Sequence, residues 1–195
     1  MVKIDIITYA AGYDLFVYER FLSPLYNTGF SGYVYIITKH SDIKIMNLVK
    51  TKYKNVIHII DNIRQVTAIE THRFFAYLKL LKFSNLNSEY ILLCDFRDVL
   101  FQKNIETYKY DSNVDLYGFL EEVKIKDETR YNTPWIKYLE GHLKIDIYND
   151  ISDKYVICCG VIIGKKNAIN NYVETLAKIV HTYKLKPNID QGIHN

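Results

Sequence analysis

The sequence predicts an α/β domain built on a mixed, mainly parallel sheet with helices on both faces. Two observations predict it. From Val2 to Tyr90, short apolar runs alternate with helix-spaced segments, the rhythm of successive βαβ units. Beyond that point the rhythm is lost, which predicts an antiparallel contribution to the sheet and an irregular insertion.

The first run, Val2 to Ala10, reads as a buried strand that ends in small and polar residues before Gly12. Asp14 to Tyr26 carries Leu15, Phe16, Phe21, Leu22 and Leu25 at amphipathic-helix spacing, with Pro24 near its end. Gly29 and Gly32 mark a turn, and Gly32 to Thr38 reads as a second strand. Ser41 or Asp42 is the candidate cap of a helix carrying Ile45, Leu48 and Val49. Val56 to Ile60 is a third strand, stopped by Asp61 and Asn62.

Thr67 to Phe83 is the longest helical pattern. Ile69, His72, Ala76, Leu80 and Phe83 form one face, while Phe74, Tyr77, Leu78 and Leu81 form a second. A helix apolar on most sides is buried, which makes Arg73 inside it noteworthy. Tyr90 to Cys94 is a buried central strand, Val99 to Phe101 a short strand, and Val114 to Leu120 another. Glu121 to Asp153 reads as loops with a short helix around Trp135 to Leu139. Tyr155 to Gly164 is a buried strand interrupted by Gly160, a residue that marks close approach by a backbone or ligand. Lys165 to Tyr183 is a final helix, ended by Pro187.

With 195 residues the chain reads as a single domain, or as the first domain of a longer polypeptide. A net charge of +3, with no Lys/Arg run, is too small to argue for a nucleic-acid footprint, and no nucleic-acid partner is expected. The 18 tyrosines suit sugar or nucleotide faces but equally suit ordinary half-buried positions. Cys94, Cys158 and Cys159 lie in apolar runs without zinc spacing, as expected of reduced thiols in a reducing compartment. No stretch is long and apolar enough to span a membrane, and the N-terminus lacks a signal-peptide pattern. A soluble, cytoplasmic protein is the expectation.

The chemistry concentrates at Tyr90–Gln102, Y-I-L-L-C-D-F-R-D-V-L-F-Q, where a buried strand breaks into Asp95, Arg97 and Asp98. Charges at a strand end need pairing, a metal or a ligand. Ligands bind at the carboxyl ends of strands in open α/β sheets. Asp95 and Asp98 suit Mg²⁺ or Mn²⁺, and Arg73 and Arg97 suit phosphate. The ordinary structural reading is an ion network capping the strand. A second polar cluster, Asp190-Gln191 and His194-Asn195, reads either as a solvated tail or as a second part of a site. His58 is expected to be a satisfied core histidine, and His72 is ambiguous. No G-x-x-x-x-G-K-[ST], G-x-G-x-x-G or G-x-S-x-G motif occurs. The aspartates stand three apart rather than the two expected of a haloacid-dehalogenase-type phosphatase.

Three segments together resemble the GT-A glycosyltransferases, and within them glycosyltransferase family 8 and its relatives. D-F-R-D-V-L-F-Q at 95–102 is similar to the D-x-R-D-V-x-F-Q variant of their strand-end acidic motif, C-C-G-V-I-I-G at 158–164 to their N-x-G-V strand, and D-Q-G-I-H-N at 190–195 to their D-Q-x-x-x-N segment. The helix segment H-R-F-F-A-Y-L at 72–78 resembles the one lining their nucleotide-sugar pocket. The resemblance implies a GT-A (Rossmann-like) fold, with a nucleotide-binding half at 1–104 and an acceptor-side half at 105–195. It implies a sugar transferred from a nucleoside diphosphate, UDP first, to a hydroxyl of a glycan or protein.

By the same resemblance Thr8, Tyr9 and Ala10 would line the nucleoside pocket, with Arg73, Asp95, Arg97 and Gly160 around the donor. Asp95, Asp98 and His194 would hold Mn²⁺ or Mg²⁺, and Asp190 and Gln191 would serve catalysis. The chain departs from the pattern in having D-x-R-D for D-x-D and Cys158 for the usual Asn. Two other readings compete: a sugar-phosphate nucleotidyltransferase, which would want a basic, glycine-rich loop after the first strand, and a catalytically inactive nucleotide-sugar or carbohydrate-binding module.

Overall fold

The structure, a computed structural model, describes residues 2–65, 67–84, 86–185 and 189–195. In chain order its elements are β1 (Ile4–Tyr9), α1 (Leu15–Asn27), β2 (Val34–Thr38), α2 (Ile43–Lys52), β3 (Val56–Ile60), α3 (Ile69–Phe83), β4 (Tyr90–Cys94), β5 (Leu116–Lys124), α4 (Asn132–Leu143), α5 (Tyr148–Ile151), β6 (Tyr155–Lys165), α6 (Lys166–Tyr183) and α7 (Asp190–His194). The strands form one sheet in the order β3-β2-β1-β4-β6-β5. β1 pairs in parallel with β2 and β4, β2 pairs in parallel with β3, and β6 runs antiparallel to both β4 and β5.

Alternation along the central strands divides the core. Ile4 and Ile6 of β1 join Tyr90 and Leu92 of β4 against Phe21, Leu22 and Leu25 of α1 and Val49 of α2. Ile7, Tyr9, Ile91 and Leu93 face the other way, onto Phe74, Tyr77 and Leu80 of α3 and Val173 and Leu176 of α6. β1 is buried along its whole length because helices cover both faces, which is why it reads as a continuous apolar run. α3 is apolar around most of its circumference because one side meets the sheet and another meets α6. Phe83, expected on its buried face, is 82% exposed because it is the last residue of the helix.

Local signals explain the other boundaries. The Asp14 carboxylate caps α1 by accepting from Val17 N–H at 3.0 Å. Asp42 stands at the cap position of α2 but makes no cap bond there. Its carboxylate instead takes the Thr38 hydroxyl at 2.7 Å and Gly12 N–H at 3.2 Å, tying the turn after β1 to the end of β2. Burial works against that charge, yet these bonds hold the carboxyl below its usual range.

The second half differs from expectation at several points. Val99–Phe101 forms no strand; Phe101 is buried by edge-on packing against Phe21, 5.3 Å between ring centres. β5 begins and ends later than expected, and its Phe119, Leu120, Glu121 and Glu122 are exposed at the sheet edge, so the in–out alternation is weak. α4 is longer than the expected Trp135–Leu139 because Glu128 caps it from outside, accepting from the backbone N–H groups of Arg130, Tyr131 and Asn132. Pro187 lies outside the described residues.

Candidate active site

The chain leaves β1 for β2 and β3 on one side, then returns through β4 on the other. The crevice outside the carboxyl ends of β1 and β4 is therefore a topological switch point, the place where open α/β sheets bind ligands. A cleft of about 250 Å³ opens there. Tyr9, Tyr13 and Phe96 supply its aromatic wall, and Tyr13 stacks on Phe96 with ring centres 6.1 Å apart. Its charged lining is Glu70, Asp95 and Asp98 against Arg73 and Arg97. Three carboxylates against two guanidinium groups leave the cleft short of positive charge for a polyanionic ligand.

Arg73 is the hub. α3 carries it inward, with a side chain 12% exposed. Its Nη1 pairs with Oδ1 of Asp95, and its Nη2 donates to Oδ2 of Asp190 at 3.1 Å. Cys159 Sγ lies 3.8 Å from the same Nη2 and 3.5 Å from Asp190 Oδ2. Burial opposes the charge on Arg73, but Asp95, Tyr77, Cys159 and Asp190 outweigh it and hold the guanidinium well above its ordinary pKa. Burial pushes the Asp95 carboxyl up, with Arg73 opposing and Asp190 and Asp98 adding to the rise. The ordinary ion-network reading is thus partly right, but the network runs through Arg73 rather than Arg97. Arg97 approaches Asp98 only to 3.9 Å, and their side chains are 66% and 76% exposed.

Gly160 serves the carboxylate directly. Asp95 N–H donates to Gly160 O at 2.7 Å, and a β-carbon at Gly160 would meet Asp95 Oδ2 at 2.7 Å. The strand bulges here: Gly118 pairs with Ile162 and Phe119 with Cys158, so Cys159, Gly160 and Val161 have no β5 partner. Bulges of this kind re-aim side chains beside active sites.

The 190–195 segment is not a solvated tail. It forms α7 and the cap residue Asn195; Gln191 and Asn195 stand one turn apart and present their amides to β6 beyond the end of β4. Gln191 accepts from Cys159 N–H at 2.9 Å and donates to Ile157 O at 2.6 Å. Asn195 accepts from Ile157 N–H at 2.8 Å. Two side-chain amides thus take the place of a neighbouring strand.

The expected site residues sort as follows. Tyr9, Arg73, Asp95, Arg97 and Asp98 line the cleft, and Gly160 abuts Asp95. Thr8 and Ala10 are 0% exposed and face the core, because strand alternation hands the cleft Tyr9 and Ala11 instead. Asp190 and Gln191 sit behind the cleft wall, engaged by Arg73 and β6. His194 is turned onto α6, with Nδ1 2.8 Å from the Tyr172 hydroxyl. Its ring lies edge-on to Tyr172 rather than in the cleft lining, and burial lowers its pKa. Among the described residues no three His, Cys, Asp or Glu side chains converge to hold a metal ion. Asp95 and Asp98, the two aspartates of the cleft lining, are carboxylate oxygen donors of the type that hard divalent cations take.

Sequence reasoning missed Tyr13, Phe96 and Glu70. Glu70 had a signal: it precedes Arg73 by three residues, which places the two on one helix face. It also missed Asp61, whose Oδ2 takes the Tyr9 hydroxyl at 2.7 Å and His72 Nε2 at 2.8 Å. His58 is half-buried, but neither ring nitrogen has a partner, so it is not the satisfied core histidine expected.

The sequence matches no protein-family model and no curated protein. Its structure is similar to that of the galactosyltransferase LgtC, solved with donor and acceptor sugar analogues: TM-score 0.63, 14% identity, covering 97% of this chain and 69% of that one. It is also similar to the glycosyltransferase GlyE of Streptococcus pneumoniae TIGR4 (TM-score 0.61, 10% identity, 100% of this chain and 43% of that one). A third likeness is to 4-diphosphocytidyl-2C-methyl-D-erythritol synthase of Anaerococcus prevotii DSM 20548 (TM-score 0.57, 15% identity, 94% of this chain and 83% of that one). Identities this low speak to architecture alone, and the architecture of this chain, a mixed and mostly parallel six-stranded sheet with helices on both faces, is the Rossmann-like GT-A fold.

Proposed function

We propose that the protein is a glycosyltransferase that moves a sugar from a nucleoside diphosphate, UDP first, to a hydroxyl of a glycan or protein. The observation that carries the reading is the cleft at the β1–β4 switch point, where an aromatic wall adjoins clustered carboxylates and guanidinium groups. Tyr9, Tyr13 and Phe96 suit a nucleoside, and Arg97, exposed and held by no close bond, suits a phosphate oxygen.

Arg73 has a different task from the one its residue type suggests. Both ends of its fork are taken by Asp95 and Asp190, so it acts as a strut that orients Asp95 and opposes the rise that burial imposes on its carboxyl. Asp190 and Gln191 contribute at one remove, Asp190 through Arg73 and Gln191 by holding Cys159 at the bulge. Asp95 and Asp98 would hold Mn²⁺ or Mg²⁺, which supplies the positive charge that the cleft lacks and neutralises the leaving diphosphate. Arg97 adds to that neutralisation from the rim.

The nucleotidyltransferase reading fits less well. The β1–α1 connection, Ala10-Ala11-Gly12-Tyr13-Asp14, has no basic residue, and Gly12 N–H is engaged by Asp42 rather than open to phosphate. An inactive binding module would share the cleft and is separated by turnover alone.

A thermal-shift titration with UDP and GDP, with and without Mn²⁺, tests the proposal, because a ligand of the folded state raises Tm by mass action. A rise with UDP that requires Mn²⁺ and is lost in Asp98→Asn supports it. UDP release from UDP-sugars then separates a transferase from a binding module. No rise with any nucleotide rejects the donor site.

A further inference from the structure

Asp61 follows β3 and lies beneath the cleft wall, with a side chain 2% exposed. Its carboxylate gathers three donors: the Tyr9 hydroxyl at 2.7 Å, His72 Nε2 at 2.8 Å and Ile63 N–H at 3.0 Å. Burial works against a charge there, yet these bonds hold the carboxyl below its usual range. A ligand in the cleft does not reach a group at that depth. Whatever Asp61 does for the site passes through the side chains it holds.

Both of those side chains lead to the cleft. Tyr9 lines it, and its hydroxyl is turned to Asp61, so the ring is what remains for a ligand. His72 is 0% exposed, lies edge-on to Tyr9 with ring centres 6.1 Å apart, and directly precedes Arg73. Ala68, at the cap position before α3, offers no side-chain cap, so the first amides of the helix have no cap partner. The His72–Asp61 bond is thus a tie between the start of that helix and the end of β3, one residue from the strut that orients Asp95.

We infer that Asp61 and His72 are positioning residues that set the Tyr9 ring and the Arg73 guanidinium, and through them the affinity for the nucleoside diphosphate. The inference rests on the donor-binding reading above. It requires His72 to present Nε2–H to Asp61, and that requirement gives the test.

Glutamine places its amide nitrogen near Nε2 of histidine, and asparagine places it near Nδ1. His72→Gln therefore keeps a donor to Asp61, whereas His72→Asn withdraws it. Binding of UDP with Mn²⁺ is measured by calorimetry, and amide hydrogen exchange is followed at Ile63 and along residues 72–76 in the unliganded protein. The expected result is His72→Gln within about threefold of wild type, and His72→Asn weakened about tenfold, the scale of one hydrogen bond, with faster exchange. Equal affinity and equal exchange in the two variants overturn the inference. If His72→Asn does not fold, Tyr9→Phe removes one bond to Asp61 while keeping the ring, and unchanged UDP affinity there overturns it equally. A wild-type chain that binds no UDP, GDP or CDP rejects the donor reading and the link to affinity with it. Faster exchange confined to His72→Asn in that case still supports the placement of α3.

Discussion

Gly160 and Asp95 approach so closely that a β-carbon on the glycine would lie 2.7 Å from one carboxylate oxygen and 3.2 Å from the carboxyl carbon. The glycine is therefore the space into which Asp95 is turned. Gly160→Ala is expected to displace the carboxylate and lower sugar transfer about 100-fold, the scale of a 1 Å misplacement in an active site. Steady-state rates with a UDP-sugar, alongside the melting temperature, check this. A full-rate alanine variant would mean that Asp95 does not act from this position.

Arg73 stands between two carboxylates in a poorly solvated setting. Arg73→Leu leaves Asp95 and Asp190 without their cation and is expected to destabilise the fold by about 3 kcal/mol. Arg73→Leu combined with Asp190→Leu should recover part of that loss, because one uncompensated charge goes with it. Urea unfolding of the two variants decides the point. Arg73→Lys should rescue poorly, since one ammonium does not reproduce a fork that grips two partners.

Gln191 replaces a strand for two backbone groups of β6. Gln191→Ala leaves Cys159 N–H and Ile157 O without those partners and is expected to destabilise the protein by about 2 kcal/mol. Exchange of the Cys159 amide with solvent should quicken by a corresponding factor of about 30 if local opening follows that loss.

His58 gives the fold a pH dependence. Burial lowers its pKa to about 4, with Lys50 adding to the drop. An unfolded histidine titrates near pH 6.5. The unfolded chain therefore binds the proton first as pH falls, so the contribution is harmless above about 6.5 and grows unfavourable down to about 4. The melting temperature should fall between pH 7 and pH 5, and His58→Phe should flatten that slope. An identical slope in the variant would assign the dependence to other groups.

The first half of the fold was legible because β1, β2 and β4 are buried along their whole length and its helices show ordinary periodicity. α4 was not, because its cap is a glutamate four residues upstream of the first helical residue, outside the usual cap residues. Val99–Phe101 misled because three apolar residues in a row do not distinguish a ladder from an irregular stretch in which only Phe101 is buried. At the site, residue identities were legible and partnerships were not. Arg97 and Asp98 adjoin Asp95 in sequence, but the turn after β4 leaves them exposed, and the cation that meets Asp95 comes from α3, 22 residues earlier. His194 carried metal-ligand chemistry in its residue type alone, while its position on α7 turns it to Tyr172.

The Arg73–Asp190 bond joins residues 117 apart. A ribosome releases Arg73 and Asp95 long before Asp190, so a nascent chain holds only half of the strut, and the two amides that brace β6 arrive later still. Sheet and cleft can be present while the carboxylate is poorly oriented. Competence for binding should therefore appear abruptly and only after the sheet has been made, as a property of the 190–195 segment rather than of the sheet that bears the charges.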